Sequence, residues 1–295
     1  MDAGEQLVLR GRLVIVGKEP DGDSVRFVPD TPDLLRRLAG ADRIRPSHDG
    51  SVQLRFDAID APELHYGAAA QPLGAEARDD LLARIGFTRV TYAGDNPTLV
   101  TAADPADGIR GAILSAMAEA NGRPVSWVLA GDDGTLPADG AVLTADSALL
   151  DRTLNAELLA DGIAYYTAYT STLDAQRAQM RELARTAREK GYGVWAQDAT
   201  AAFDLTGPAS IGPGGRLVLP KLFRRCTDYL AAVAGGFSGG LPDWIRTVSA
   251  DPHHDENDAV VLADGTRTHL ADLLAQDGDR VTCTADPLEI TFVEK

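Results

Sequence analysis

Cysteine is nearly absent from this chain. Only Cys226 and Cys283 occur among 295 residues, too few for a disulfide framework, and they read as free thiols of a reducing compartment. Aromatic residues are sparse, at 6%, and no apolar run reaches the ~20 residues that a membrane-spanning helix needs. The N-terminus, M-D-A-G-E-Q-L-V-L-R, lacks a basic region followed by an apolar stretch, so no signal peptide is expected and a cytoplasmic location is. Positive charge is short as well: 28 Lys and Arg face 44 Asp and Glu, for a net charge of −16. The deficit is spread out, since residues 200–295 hold 8 basic and 14 acidic side chains. This excludes a basic platform for long nucleic acid, because phosphate-dominated binding needs clustered Lys and Arg. A polyanion can be held only where a local site overcomes the surrounding field.

What is present is ordinary for a soluble fold: 44% hydrophobic and 24% charged residues, over a length that fits one large domain or two modest ones. The most informative stretch runs from Val52 to Glu63. Val52, Leu54, Phe56 and Ala58 alternate with Gln53, Arg55 and Asp57, the pattern of a strand with one buried face. The strand runs into Asp60-Ala61-Pro62-Glu63, where Pro62 removes a ladder donor and ends it. One arginine and two carboxylates thus converge on a corner. Packing does not require that grouping; phosphate chemistry with a metal could use it.

Elsewhere, Leu7–Val16 reads as an opening strand, and Asp21-Gly22-Asp23 as a turn leading to a returning strand, Ser24–Val28. A short helix is expected around Asp33–Ala39, capped near Thr31, within an inserted segment, residues 31–50. A helix over Gly74–Ile85 should stop at Gly86, and Phe87–Ala93 reads as a strand. Ile109–Met117 and Gly122–Ala130 form a hairpin pattern. A short helix starts at Leu154 and ends before Asp161-Gly162; a longer one covers Thr172 to Lys190, capped by Ser171 or Thr172, with Trp195 packing back after it. Residues 201–215, dense in Gly and Pro, read as a linker between residues 1–200 and a small α+β domain over 216–295. That domain should hold a strand at Leu217–Leu219 and a helix from Lys221 to Val233, and shows no motif that carries chemistry.

Six segments in order are similar to the thermonuclease family, typified by staphylococcal nuclease. They are D-G-D-S-V at Asp21–Val25, L-R-F-D-A-I-D-A-P-E at Leu54–Glu63, Q-P-L-G-A-E-A at Gln71–Ala77, N-G-R-P-V-S-W-V at Asn121–Val128, L-N-A-E-L-L-A-D-G-I-A at Leu154–Ala164 and A-R-E-K-G-Y-G-V-W-A at Ala187–Ala196. The resemblance covers roughly residues 8–198. It implies a mainly β fold with helices, an OB-fold five-stranded barrel, followed here by the small C-terminal α+β domain. It implies a calcium-dependent nuclease acting on DNA or RNA, with Asp23, Asp60 and the Ala61 carbonyl as metal ligands. It implies Arg55 and Arg123 as phosphate-clamping arginines, with Arg110 as a fallback for the second, Glu63 as the candidate base, and Tyr169 against the nucleotide. The chemistry is coherent: calcium takes oxygen ligands, and paired guanidiniums hold phosphate oxygens. The competing expectation is a non-catalytic OB-fold module binding nucleic acid or a protein partner, and the C-terminal domain could dock such a partner.

Plainer readings accompany other residues. His65 reads as an exposed loop histidine, and His253, His254, Asp255 and Glu256 as a solvated acidic loop. Tyr165, Tyr166 and Tyr169 suit either packing or base stacking. Trp127 and Trp195 read as core, and Cys226 beside Arg225 as a half-buried thiol.

Overall fold

The computed structural model describes residues 4–132, 134–250 and 256–294. β1 (Gln6–Val14) pairs antiparallel with β2 (Arg26–Pro29), from Gly11 opposite Pro29 to Val14 opposite Arg26. The expected strand over 52–58 keeps its alternation, with Val52, Leu54, Phe56 and Ala58 all buried, but it is bent into pieces. β3 (Val52–Gln53) pairs with β2, while β4 (Arg55–Phe56) pairs parallel with the strand Pro124–Ala130. Ala58 then adopts a positive φ of 62°, a left-handed conformation that turns the chain out of the sheet. β5 (Ile59–Asp60) consequently finds a different partner, Tyr165–Tyr166.

α1 (Gly74–Ile85) buries Ala77, Leu81, Leu82 and Ile85, and Gly86 closes it at a φ of 109°, the backbone that glycine adopts without strain. A ribbon of β6 (Thr88–Tyr92) and β7 (Val100–Asp104) follows, then the hairpin of β8 (Ile109–Ala118) and β9 (Pro124–Ala130). β8 also pairs antiparallel with β1, from Leu7 opposite Ser115 to Leu13 opposite Ile109. The strand order is β3-β2-β1-β8-β9-β4. Only Leu54 separates the first strand from the last, so the sheet returns to the stretch in which it began. The molecule is mixed α/β, with a mostly β, nearly closed barrel-like sheet and several helices. Leu9, Leu13, Phe27, Phe56, Ile113 and Trp127 are buried in its core, each worth about 1.5–3 kcal/mol when fully removed from water.

β10 (Val142–Leu143) adds to the edge of β1, and α2 (Ser147–Leu150) and α3 (Leu154–Ala160) follow. Asn155 on α3 is completely buried. Its Nδ2 donates to the carbonyls of Asp57 and Ser126 at 2.9 and 3.0 Å, and its Oδ1 accepts from Val128 N–H at 3.0 Å. One side chain thereby pins the Asp57 bend to β9. β11 (Tyr165–Tyr166) and β12 (Ala168–Tyr169) lead to α4 (Asp174–Glu189), which buries Met180, Ala184 and Ala187. Neither Ser171 nor Thr172 caps α4. Leu173 occupies the cap position, and the Thr172 hydroxyl instead donates to Asp57 Oδ1 at 2.8 Å. Likewise Thr31 precedes a 3₁₀ turn, Pro32–Arg37, without capping it, because its hydroxyl donates to Asp139 at 2.7 Å.

The chain continues with β13 (Ala202–Asp204), α5 (Pro220–Ala234), α6 (Leu241–Val248), β14 (Ala259–Leu262), β15 (Arg267–His269), β16 (Leu274–Asp277), β17 (Arg280–Cys283) and β18 (Ile290–Phe292). The stretch 201–215 is not a free tether: β13 pairs with β17, and Phe203, Leu205 and Ile211 are buried in the same apolar core as the barrel. Leu217–Leu219 is no strand but a single bridge to Asp198 ahead of α5. β18 pairs parallel with β12, and Gln71 Nε2 donates to the Val218 carbonyl at 2.7 Å, so the C-terminal segment is joined to the barrel along several lines. No described helix is long and apolar enough to cross a membrane.

Candidate active site

The turn Asp21–Ser24 closes through a backbone bond of 2.9 Å from Asp21 N–H to the Ser24 carbonyl. Gly22 is required by proximity, because a Cβ there would lie 2.7 Å from the Ala61 Cβ and 2.9 Å from the Ala77 Cβ. The turn therefore presses against the Asp60–Glu63 corner, and Asp23 Oδ2 accepts from Ala61 N–H at 3.0 Å. Gln71 fixes the other end of the corner: its Oε1 accepts from Glu63 N–H at 3.1 Å and its own N–H donates to the Glu63 carbonyl at 2.9 Å. Arg123 immediately precedes β9, its backbone N–H and its Nε both donating to Glu119 Oε1 at 3.1 Å.

These pieces line one cavity of about 610 Å³, which holds Asp23, Arg55, Asp60, Ala61, Glu63, Arg123 and Tyr169 together. The Arg55 guanidinium lies 4.2 Å from the centre of the Tyr169 ring, a cation–π contact that sets both side chains. Arg110 is elsewhere, locked to both oxygens of Asp30 at 2.7 Å, so of these two arginines it is Arg123 that lines the cavity. Tyr165 and Tyr166 are 0% and 1% exposed and present no ring to a ligand; the Tyr165 hydroxyl donates to Asp198 at 2.9 Å. Trp127 is core, and Trp195 stacks edge-on against Tyr165 at 5.2 Å. Cys226 is fully rather than half buried, and burial raises its thiol pKa instead of Arg225 lowering it. Both cysteines are free. His65 is exposed at the cavity rim. His253, His254 and Asp255 lie outside the described residues.

Several residues of the cavity are not legible as site residues, Asp21, Lys221 and Arg224 among them. Asp21 looked like turn chemistry. Lys221 and Arg224 come from α5, in a segment without a motif. Arg224 reaches between the two corner carboxylates: Nη2 donates to Asp60 Oδ2 at 2.9 Å, Nη1 lies 3.3 Å from Asp60 Oδ1, and Nη1 also bonds Glu63 Oε1. Nothing local in the sequence points to residue 224.

The electrostatics follow from crowding. Burial, with Asp23 and Asp60 adding repulsion, pushes the Asp21 carboxyl up to about 7. Burial and then Asp60 push Asp23 up to about 6. Glu63 rises to about 8, mainly through burial, with the three aspartates adding to the rise and Arg224 opposing it. For Arg224 burial works against the charged form, but Asp60 and Glu63 outweigh it and its pKa is raised. Carboxylates crowded in mutual repulsion suit a hard divalent cation. Among the described residues, however, no three His, Cys, Asp or Glu side chains form a ready-made ligand cluster, and the Asp60 oxygens face a guanidinium.

Compared with known proteins, the chain matches no protein-family model and no curated protein.

Proposed function

We propose that this cavity hydrolyses phosphodiester bonds of DNA or RNA with calcium as its cofactor. The observation that carries the reading is the convergence of Asp23, Arg55, Asp60, Ala61, Glu63 and Arg123 on one cavity, in the roles that the resemblance to thermonucleases implies. An OB-type barrel is supported by the closure of the sheet: β1, β2, the bent β3–β4 stretch, β8 and β9 make up five stretches around it. The free thiols fit a cytoplasmic protein.

Asp23, Asp60 and the Ala61 carbonyl would hold the calcium, which when bound polarises the scissile phosphate. The chain's own groups do the rest. Arg55 and Arg123 offer forked donors to the phosphate oxygens and offset the charge that grows on them. Arg55 is set by Tyr169 and Arg123 by Glu119, so neither has to search for its position. Glu63 lines the same cavity and would take a proton from the attacking water and return it. Tyr169 supplies a ring edge for a base beside Arg55.

A second reading, a non-catalytic OB-fold module that binds nucleic acid or a protein partner, is favoured by one observation: Arg224 already satisfies Asp60 and Glu63. Turnover separates the two. Hydrolysis of short single-stranded DNA and RNA in calcium, abolished by a chelator, is the expected result; equal and negligible turnover in both conditions overturns the nuclease.

A further inference from the structure

The cavity has a wall that the barrel does not make. α5 projects Lys221, Arg224 and Arg225 toward it, and the helix itself is firmly held. Lys221 pairs with Asp258 at 3.1 Å, Arg225 with the same carboxylate at 2.9 Å, and Tyr66 of the barrel donates to Asp228 at 2.6 Å. Phe223 and Cys226 are buried beneath it. Arg224 is different in kind. Its side chain crosses into the barrel's carboxylates and keeps 25% of its surface exposed, on a stem long enough to turn while the helix stays put.

We propose that Arg224 is an exchangeable internal cation of the site: without calcium it holds Asp60 and Glu63, and calcium displaces it from Asp60, freeing its guanidinium to take a phosphate of the substrate. The proposal rests on the calcium reading given above. Its basis is geometric. The guanidinium engages both Asp60 oxygens, while a calcium ion needs at least one of them at about 2.3–2.6 Å. Two full positive charges cannot share that carboxylate at such range without strong repulsion. A guanidinium driven off Asp60 remains in the same cavity as Arg55 and Arg123, where an anion is the partner its fork fits best. The segment after residue 216 would thus set the calcium level at which the site assembles, and would supply a third phosphate contact once it has. In an acidic protein this exchange also supplies what the field lacks, since cationic charge is released toward the substrate only when calcium has neutralised the carboxylates.

The test is isothermal titration of calcium into the full chain without nucleic acid. Arg224→Gln is expected to bind calcium about tenfold tighter than the unmodified protein, within the range usual for coupled sites. Arg110→Gln, outside the cavity, should match the unmodified protein, and Asp60→Asn should abolish binding. The same Arg224→Gln protein should bind a short oligonucleotide more weakly in saturating calcium. Saturable calcium binding of equal strength in the unmodified and Arg224→Gln proteins overturns the exchange and leaves the calcium site standing. No binding by either protein overturns both. Equal hydrolysis with calcium and with chelator, lost in Arg224→Gln, also overturns it, because the guanidinium would then serve in place of a metal. If Arg224→Gln does not fold, the arginine Nε–Hε resonances of the unmodified protein decide: a calcium-dependent change in the signal that Arg224→Lys removes supports the exchange, and an unmoved signal overturns it.

Discussion

The barrel and the C-terminal segment meet at one cavity but furnish it by different means. The barrel delivers its charges from strand ends and short turns that hydrogen bonds to neighbouring barrel residues hold in place: the Asp23 carboxylate by Ala61 N–H, the Glu63 backbone by Gln71, Arg123 by Glu119. The C-terminal segment delivers Lys221, Arg224 and Arg225 from one face of a packed helix, at the i, i+3, i+4 spacing that brings side chains together. These charges are tied to the barrel by bonds to barrel residues close by in the fold. A charge on a long side chain of a rigid helix is held only by its ionic partners, so it is the one that can change them. On the proposed reading, the difference leaves the chemistry to the barrel and the exchange to α5.

The comparison assumes that the C-terminal segment is built into the same core as the barrel, and Phe203 is where that can be broken. It is 1% exposed within the continuous apolar core, on β13, in the stretch that reads from sequence as a linker. Phe203→Ala should lower unfolding stability by about 3–5 kcal/mol, from lost transfer energy and the cavity left behind, measured by urea unfolding. A change below about 1 kcal/mol would mean that the two regions fold independently, and the helix could not then be called rigid with respect to the site.

The next effect in size separates two arginines of the barrel. Arg123 lines the cavity, whereas Arg110 is spent on Asp30. Arg123→Gln should lower kcat about 10²- to 10³-fold, the usual loss when one preorganised donor to a developing anion is removed. Arg110→Gln should leave kcat within about twofold. A matching loss in both would make the effect one of general charge and not of position.

How much of this was legible depends on how local each cause is. α1 could be read to its last residue, because its apolar spacing and the Gly86 stop are both within it. The caps of α4 and of the Pro32–Arg37 turn could not, since the hydroxyls of Thr172 and Thr31 are taken by Asp57 and Asp139, far off in the chain. The alternation over 52–58 gave the buried face correctly but not the bend, because burial records which side chains point inward and not which strand lies alongside. The barrel's half of the cavity lining was legible because Asp60, Ala61 and Glu63 are neighbours in sequence and the resemblance groups them with Asp23 and Arg123, which line the same cavity. Asp21 is not legible as a site residue, because a turn explains an aspartate well enough. Arg224 had no chance, since its partners lie 164 and 161 residues away and its own helix reads as apolar stripe and filler.

The smallest expected effect is a pH dependence, and it sets the two regions against each other with opposite signs. In the barrel, Asp21, Asp23 and Glu63 are all raised, burial being the first cause of each, to about 7, 6 and 8. A raised folded pKa means that the folded form holds its proton more tightly than the unfolded chain, whose carboxylates titrate near ~4. That stability is complete below ~4 and is lost as pH climbs through the folded values, 6 to 8. In the C-terminal segment Asp272 is lowered, first by its hydrogen bond to Arg246, so its contribution is present above ~4 and is lost on acidification. Tm of the calcium-free protein should therefore fall by on the order of a few degrees between pH 5 and 8. Asp21→Asn should flatten this limb, because it removes one titrating group and its repulsion on Asp23, and should leave the acid limb alone. Arg246→Gln should weaken the acid limb only, and by less, since both partners there are half exposed and screened. Saturating calcium should shrink the alkaline limb too, because a bound cation favours the ionised carboxylates that burial disfavours. An alkaline limb that Asp21→Asn and calcium both leave unchanged would mean that the barrel's carboxylates are not crowded in solution, and with the crowding would go the reason for a cation, bound or built in, to stand among them.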